Sequence, residues 1–243
     1  MTAMTGKSVV VVGGGRGLGR GVALAARDAG ARVTAVARDV SPLTGIDGLG
    51  SEQGDATDET FAEKVLAGDR PDLLVITAGA VPEMRPLTGH TWDTFSVNWH
   101  ADVRIAFTWL RAALRLPLAP GSRVVVFGSA AELRGSPLSG GYAGAKATVR
   151  IVTGYAAAEA SGLGITMTTV LPVITPGTTV GDTAIRAYAK SSGSTPEEFR
   201  SRLAEAPTPE SVGASILELA AAPDSAVASA YVLDAAGLRP LDR

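Results

Sequence analysis

The sequence predicts an α/β fold in which a parallel sheet is covered by helices on both faces. Three observations point there. Short apolar or β-branched runs alternate with helix-like segments from end to end, a glycine-rich turn separates the first such run from the first helix, and the composition is globular. Of 243 residues, 46% are hydrophobic, which excludes a disordered chain, and a formal charge of −2 argues against holding polyanions by bulk charge. The absence of cysteine rules out a disulfide framework, a thiol nucleophile and Cys-ligated metal. The segment before Ser8 lacks a basic stretch followed by an apolar run, so a cytoplasmic protein is expected.

The elements follow in order. Ser8-Val9-Val10-Val11-Val12 reads as a strand buried on both faces, and the Ala/Leu-rich run that ends near Ala29-Gly30 reads as the helix after it. Further strands are expected over 32–37, 73–77, 123–127, 165–171 and 231–233. Residues 92–116 are expected to be helical, because Trp92, Phe95, Trp99, Val103, Phe107, Leu110 and Leu114 recur at steps of three and four, and that stripe reads as core. Residues 175–208 are the least regular: Pro, Gly and Ser cluster around two short helical stretches, 182–190 and 196–204, which reads as a loop-rich substrate lid. The uncharged stretch between Glu159 and Asp182 is interrupted by Pro172, Pro176 and several glycines, so no membrane span is expected. No repeat or composition break divides the chain, and residues 1–243 are expected to form a single dinucleotide-binding domain.

The first strand runs into Gly13-Gly14-Gly15-Arg16-Gly17-Leu18-Gly19 and then directly into a helix. Glycines are required where a turn takes backbone angles closed to other residues, and where a missing Cβ lets a pyrophosphate reach main-chain N–H groups at a helix start. A Walker-type ATP site is the poorer reading, since no Gly-Lys-Ser/Thr follows and Gly144-Ala145-Lys146-Ala147-Thr148 lacks the second glycine. At the end of the second strand, where a carboxylate would bond the 2′-hydroxyl of NAD, stand Ala37 and Arg38, with Arg16 in the turn. Two guanidinium forks suit a 2′-phosphate, which favours NADP(H) over NAD(H); the other reading makes both arginines solvated and gives the acidic role to Asp39.

Ser129, Tyr142 and Lys146 are candidate reacting groups. Tyr142 and Lys146 are four residues apart in a helix-compatible stretch and so share a face. A phenol of ordinary pKa ~10 is ionised about once per thousand molecules at pH 7, roughly 4 kcal/mol against acting as a base, and a neighbouring ammonium lowers that cost. Ser129 could hydrogen-bond a substrate oxygen as charge develops there. On spacing alone, Tyr142 as an interfacial aromatic and Lys146 as a solvated cation stand equally open.

Taken together, the chain resembles the short-chain dehydrogenase/reductase family. The resemblance is carried by Gly13, Gly17 and Gly19, by Asp55 in Gly54-Asp55-Ala56-Thr57, by Ala78-Gly79, by Asn98 in Ser96-Val97-Asn98, by Ser129, and by Tyr142-Ala143-Gly144-Ala145-Lys146, in the family's order and spacing. It implies a doubly wound Rossmann sheet of about seven strands and hydride transfer between C4 of a nicotinamide and a carbonyl or alcohol carbon. Tyr142 would be the general acid in reduction and base in oxidation, Ser129 would orient the substrate oxygen, Lys146 would hold the nicotinamide ribose and favour the phenolate, and Asn98 would anchor a water linking Lys146 to solvent. Asp55 would meet the adenine. The catalytic set is thus Asn98, Ser129, Tyr142 and Lys146. The cofactor set is Gly13, Gly15, Arg16, Gly17, Leu18, Gly19, Arg38, Asp55, Ala56, Ala78, Gly79, Tyr142, Lys146, Pro172 and Thr175. Departures from the pattern are Val12 for a Thr, Ile76-Thr77 for an Asn pair, Val173 for a Gly, Gly177 where a Thr is expected, and Asp234-Ala235-Ala236-Gly237 for a terminal Asp-Gly-Gly.

His90 and His100 make no helical pair for a metal or triad, Ser129 lacks the glycines of a hydrolase elbow, and no basic stripe suggests nucleic acid. Surface or helix-end roles are expected of the two histidines. Val81, Met84, Leu133, Leu138, Tyr142, Ile174, Thr178, Val180, Ile185 and Tyr188 are expected to line a mostly apolar pocket suited to a ketone or cyclic alcohol, which Arg85, Arg134 or Arg186 would alter by pointing inward. The family resemblance also implies a homodimer or homotetramer packed through the helices that bear Asn98 and Tyr142, where Ala143, Gly144, Ala147 and Gly154 permit close approach. An inactive or weakly active NADP(H)-binding regulatory protein of the same fold is the alternative.

Overall fold

The computed structural model describes residues 4–203 and 206–241. The outermost residues of the expected 1–243 domain, and Ala204 at the end of the expected second lid helix, lie outside the described residues. In chain order the elements are β1 (Ser8–Val12), α1 (Gly17–Asp28), β2 (Arg32–Ala37), β3 (Leu49–Gln53), α2 (Glu59–Asp69), β4 (Leu73–Ile76) and α3 (Trp92–Asn98). A π turn, Trp99–Val103, joins α3 to α4 (Arg104–Arg115). Then come β5 (Arg123–Phe127), α5 (Ala131–Arg134), α6 (Tyr142–Ala160), β6 (Thr166–Pro172), α7 (Thr179–Ser191), α8 (Pro196–Ser201), α9 (Pro209–Ala221), β7 (Ala230–Asp234) and β8 (Gly237–Pro240).

The eight strands form one sheet in the order β3-β2-β1-β4-β5-β6-β7-β8, parallel throughout except for β8, which runs antiparallel to β7. This is the doubly wound Rossmann sheet, one strand larger than expected. The valine run of β1 shows why it is central: Val10 and Val12 enter the core on one face, with Trp109, Leu74 and Val149, while Val9 and Val11 enter the other, with Val22, Val212 and Ile216. The chain leaves β1 toward β2 on one side and meets β4 on the other, so the strand order reverses there and opens a crevice at the carboxyl ends.

Three expectations need correction. β3 was not foreseen, because Leu49-Gly50-Ser51-Glu52-Gln53 has no β-branched residue and lies at the sheet edge, where pairing to β2 through the backbone decides its form. The 92–116 helix is interrupted by the π turn, whose extra residue rotates the following stretch out of register. The apolar stripe is also not core along its length: Trp92 is exposed already at the start of α3, Trp99 and Phe107 are exposed from the turn onward, and the buried face of α4 includes Ile105, Trp109, Leu110, Ala112 and Ala113. In the 175–208 region α7 begins at Thr179, earlier than expected, because the Thr178 hydroxyl accepts the Gly181 N–H and caps it. Among the described residues no helix is long and apolar enough to cross a membrane.

Candidate active site

A cleft of about 1260 Å³ lies over the crevice at the strand ends. Its first wall is the turn after β1. Gly13 has φ +93°, and a Cβ there would stand 2.6 Å from both the Ala78 nitrogen and Thr77 Oγ1. A Cβ on Gly19 would run into the Gly13 carbonyl oxygen, so both positions need glycine for the turn to fold against the end of β4. Thr77, standing in an unexpected place, braces that contact by donating Oγ1–H to the Val12 carbonyl at 2.9 Å. Gly15, Arg16, Gly17 and Leu18 face the cleft where α1 begins, and no side chain caps that helix start, so its N–H groups are available to an anion.

Arg38, Asp55, Ala56, Ala78 and Gly79 continue the lining. Asp55 accepts the Thr57 N–H and hydroxyl, each at 2.9 Å, and these bonds, with Arg38 and Arg104 nearby, hold its carboxyl below the usual range. Asp39 accepts the Ser41 N–H at 2.9 Å, and Ser41 likewise holds its carboxyl low.

Tyr142 opens α6 and Lys146 follows one turn later, its Nζ 5.9 Å from the Tyr142 ring centre. Both line the cleft, as does buried Ser129. Lys146 Nζ donates to the Phe127 carbonyl at 3.1 Å and lies 2.9 Å from Asp102 Oδ1 in a buried ion pair. Burial alone would depress the lysine, but the charges of Asp102, Tyr142 and Glu132 outweigh it and hold Lys146 above its ordinary value. Glu132, buried and pushed up by that burial, pairs with Arg150.

Pro172, Val173, Thr175 and Thr178 close the cleft below β6, so both threonines around the out-of-step Gly177 reach it. On the substrate side Val81, Met84, Leu133, Ile174, Val180 and Tyr188 line it, with Arg134 and His100. Leu138 and Ile185 do not; Ile185 is buried within α7 packing. Arg85 pairs with Glu83 and Arg186 bonds Thr183, and neither lines the cleft. Tyr188 stacks on Phe199 with 6.1 Å between ring centres, and its hydroxyl lies 2.7 Å from Ser136 Oγ, tying α7 to α8 and to the loop after β5.

The expected cofactor set and three of the four expected catalytic residues therefore meet in one cleft. Asn98 stands behind its wall, 1% exposed, with Nδ2 donating to the Ala80 carbonyl at 2.8 Å and to Asp102 Oδ2 at 3.0 Å. Asp102 is the residue that sequence reasoning missed. Its signal was present: a carboxylate four residues after Asn98, on a stretch otherwise read as apolar core.

A reversing parallel sheet with a glycine turn at the reversal defines a doubly wound Rossmann protein whose crevice suits a dinucleotide, and a phenol and an ammonium line the same cleft. The model of the family "short chain dehydrogenase" matches residues 7–188, and the chain belongs to that family. It is 30% identical over 164 residues to L-xylulose reductase of Bos taurus, covering 64% of this chain and 66% of the relative. It is 29% identical over 185 residues to a hydroxynaphthalene reductase of Aspergillus fumigatus, covering 70% of this chain and 66% of the relative. The chain thus matches slightly less than two thirds of the length of each. The crystal structure of levodione reductase superposes with a TM-score of 0.82 over 94% of this chain and 95% of that one, at 22% identity, which is a likeness of fold.

Proposed function

We propose that the protein transfers hydride between NADP(H) and a ketone or secondary alcohol, with Tyr142 as general acid and base. The observation that carries this reading is the placement of Tyr142 and the charged Lys146 one helical turn apart on α6, both lining the cleft that contains the glycine turn. Gly13, Gly15, Gly17, Leu18 and Gly19 receive the diphosphate, Asp55 and Ala56 the adenine, Ala78 and Gly79 the adjoining wall, and Lys146, Pro172 and Thr175 the nicotinamide end. Bound there, the nicotinamide supplies or accepts the hydride at C4. Tyr142 delivers its phenolic proton to the carbonyl oxygen in reduction, Ser129 donates a hydrogen bond to the same oxygen, and the Lys146 ammonium offsets the charge left on the phenol.

Two arginines on the cleft wall, with Asp39 engaged by Ser41, support NADP(H) over NAD(H). The aliphatic and aromatic wall supports a ketone or cyclic alcohol, to which Arg134 on the same wall adds one cation that favours a polar or anionic substituent, and the reductase names of the relatives agree with the reductive direction. The stack of Tyr188 on Phe199 supports residues 175–208 as the lid. Exposed apolar residues on α4 and α6 support a homo-oligomer.

The test is NADPH consumption over a panel of ketones, aldehydes and quinones. In an active pairing, Tyr142→Phe is expected to lower kcat by about 10³-fold, the scale of a lost general acid, while NADPH fluorescence still reports binding. Unchanged turnover in that variant rejects the assignment. Tight NADPH binding with no carbonyl reduced favours the regulatory alternative.

A further inference from the structure

Asp102 lies in the π turn between α3 and α4, its side chain 1% exposed. An isolated carboxylate at such a depth is costly, and this one meets partners from three separate segments; among the described residues its Oδ1 is met through the ion pair with Lys146 alone. The Ala80 N–H and Asn98 Nδ2 both donate to Oδ2 at 3.0 Å, and the Lys146 ammonium stands 2.9 Å from Oδ1. The backbone opposite leaves room for it: Gly79 has no side chain, and a Cβ there would collide with Asp102 Oδ1. Asn98 spends both N–H groups on Ala80 and Asp102, so its side chain is linked to Lys146 through a carboxylate. The Lys146 ammonium donates to the Phe127 carbonyl and stands in a close ion pair with Asp102, while the same side chain lines the cleft.

We propose that Asp102 is a positioning residue of the reaction, which fixes the Lys146 ammonium beside Tyr142. The proposal rests on the function proposed above. Lys146 is faced by Asp102 from the π turn, by Glu132 from α5, itself paired with Arg150, and by Tyr142 on its own helix; His100 and Arg134 also line the cleft. Removing the Asp102 charge leaves the burial of the Lys146 ammonium less offset, and so lowers the pH at which Lys146 loses its proton. Carbonyl reduction needs the ammonium beside the phenol, so its alkaline limb reports the loss of the Lys146 proton.

The experiment uses Asp102→Asn, and Asp102→Ser as a smaller neutral replacement, each checked for folding by circular dichroism. Two pH profiles are read: kcat/KM for carbonyl reduction, and NADPH affinity by nicotinamide fluorescence. The expected result is a downward shift of both alkaline limbs by about one pH unit in either variant, the scale set by losing one close charge. Limbs that stay at the wild-type position, with only the melting temperature lowered, overturn the proposal and leave Asp102 a structural partner. If neither variant folds, the wild type decides: NADPH binding that fails well below the ordinary lysine value of about 10.4 overturns it. Wild-type protein that binds NADPH but reduces nothing defeats the proposed reaction while the binding limb still judges Asp102. Absence of NADPH and NADH binding defeats both.

Discussion

At the end of β2, Arg38 and Asp39 offer opposite charges to the same part of the cleft, and the cofactor choice turns on which of them is engaged elsewhere. Asp39 accepts the Ser41 N–H on a carboxylate oxygen, and Arg38 and Arg16 are exposed on the same cleft wall with no such bond to a neighbouring loop among the described residues. A charge-assisted bond to phosphate contributes about 1.5–3 kcal/mol, so Arg38→Ala is expected to weaken NADPH binding about 10–100-fold and leave NADH binding nearly unchanged. Fluorescence titration of both cofactors at one ionic strength checks this, and equal loss for both rejects a 2′-phosphate role. At this scale the sequence was informative where chemistry depends on spacing along one helix: Tyr142 and Lys146 lie on α6 and both line the cleft, as a separation of four residues requires. For Asp102 it offered only a carboxylate out of place in an apolar stripe, without its partners. A carboxylate that answers to Lys146, Asn98 and Ala80 at once has partners up to 44 positions away, and no local pattern encodes such a meeting.

Elements were legible in proportion to their burial. β1, β2 and β5 have the expected bounds: each opens on a polar residue, Ser8, Arg32 or Arg123, and continues in a mainly apolar run, as strands packed on both faces require. Edge strands β3 and β8 carry little such signal. The π turn was hidden because apolar residues at steps of three and four continue through it, while the inserted residue rotates Trp99 and Phe107 outward. Another element-level fact shows only in three dimensions. α1 and α9 approach so closely that a Cβ on Gly21 would overlap the Pro209 carbonyl, and one on Gly213 would press on Gly21. Gly21→Ala inserts a methyl against backbone, which cannot swing away as a side chain would. It is expected to destabilise by about 1–3 kcal/mol. For a chain of this length that lowers Tm by about 2–4 °C per kcal/mol, readable by thermal denaturation. An unchanged Tm would mean that the two helices slide apart at little cost.

At the scale of the whole molecule, the exposed large apolar side chains are unevenly spread. Leu87, Trp92, Trp99, Phe107, Leu116, Leu133, Ile151, Tyr155 and Leu163 all fall between α2 and β6 in the chain, and α1 and α9 on the other face carry none among the described residues. Trp99 and Phe107 project from the π turn and α4, Ile151 and Tyr155 from the neighbouring α6, and Trp99 lies against Gly144, where a Cβ would touch its ring at 3.4 Å. Two stripes so joined make one apolar face, larger than scattered surface residues require and suited to a second copy related by a twofold axis. Light scattering is therefore expected to give at least twice the chain mass of 24.7 kDa. Phe107→Glu combined with Tyr155→Glu places unpaired carboxylates at the centre of that face and is expected to give monomers. Because α6 and the π turn carry Lys146 and Asp102 on their inner sides, the monomer should also melt lower and turn over more slowly. Wild-type protein that runs at the mass of one chain, or a double variant that assembles as before, would place any interface elsewhere and uncouple assembly from the cleft.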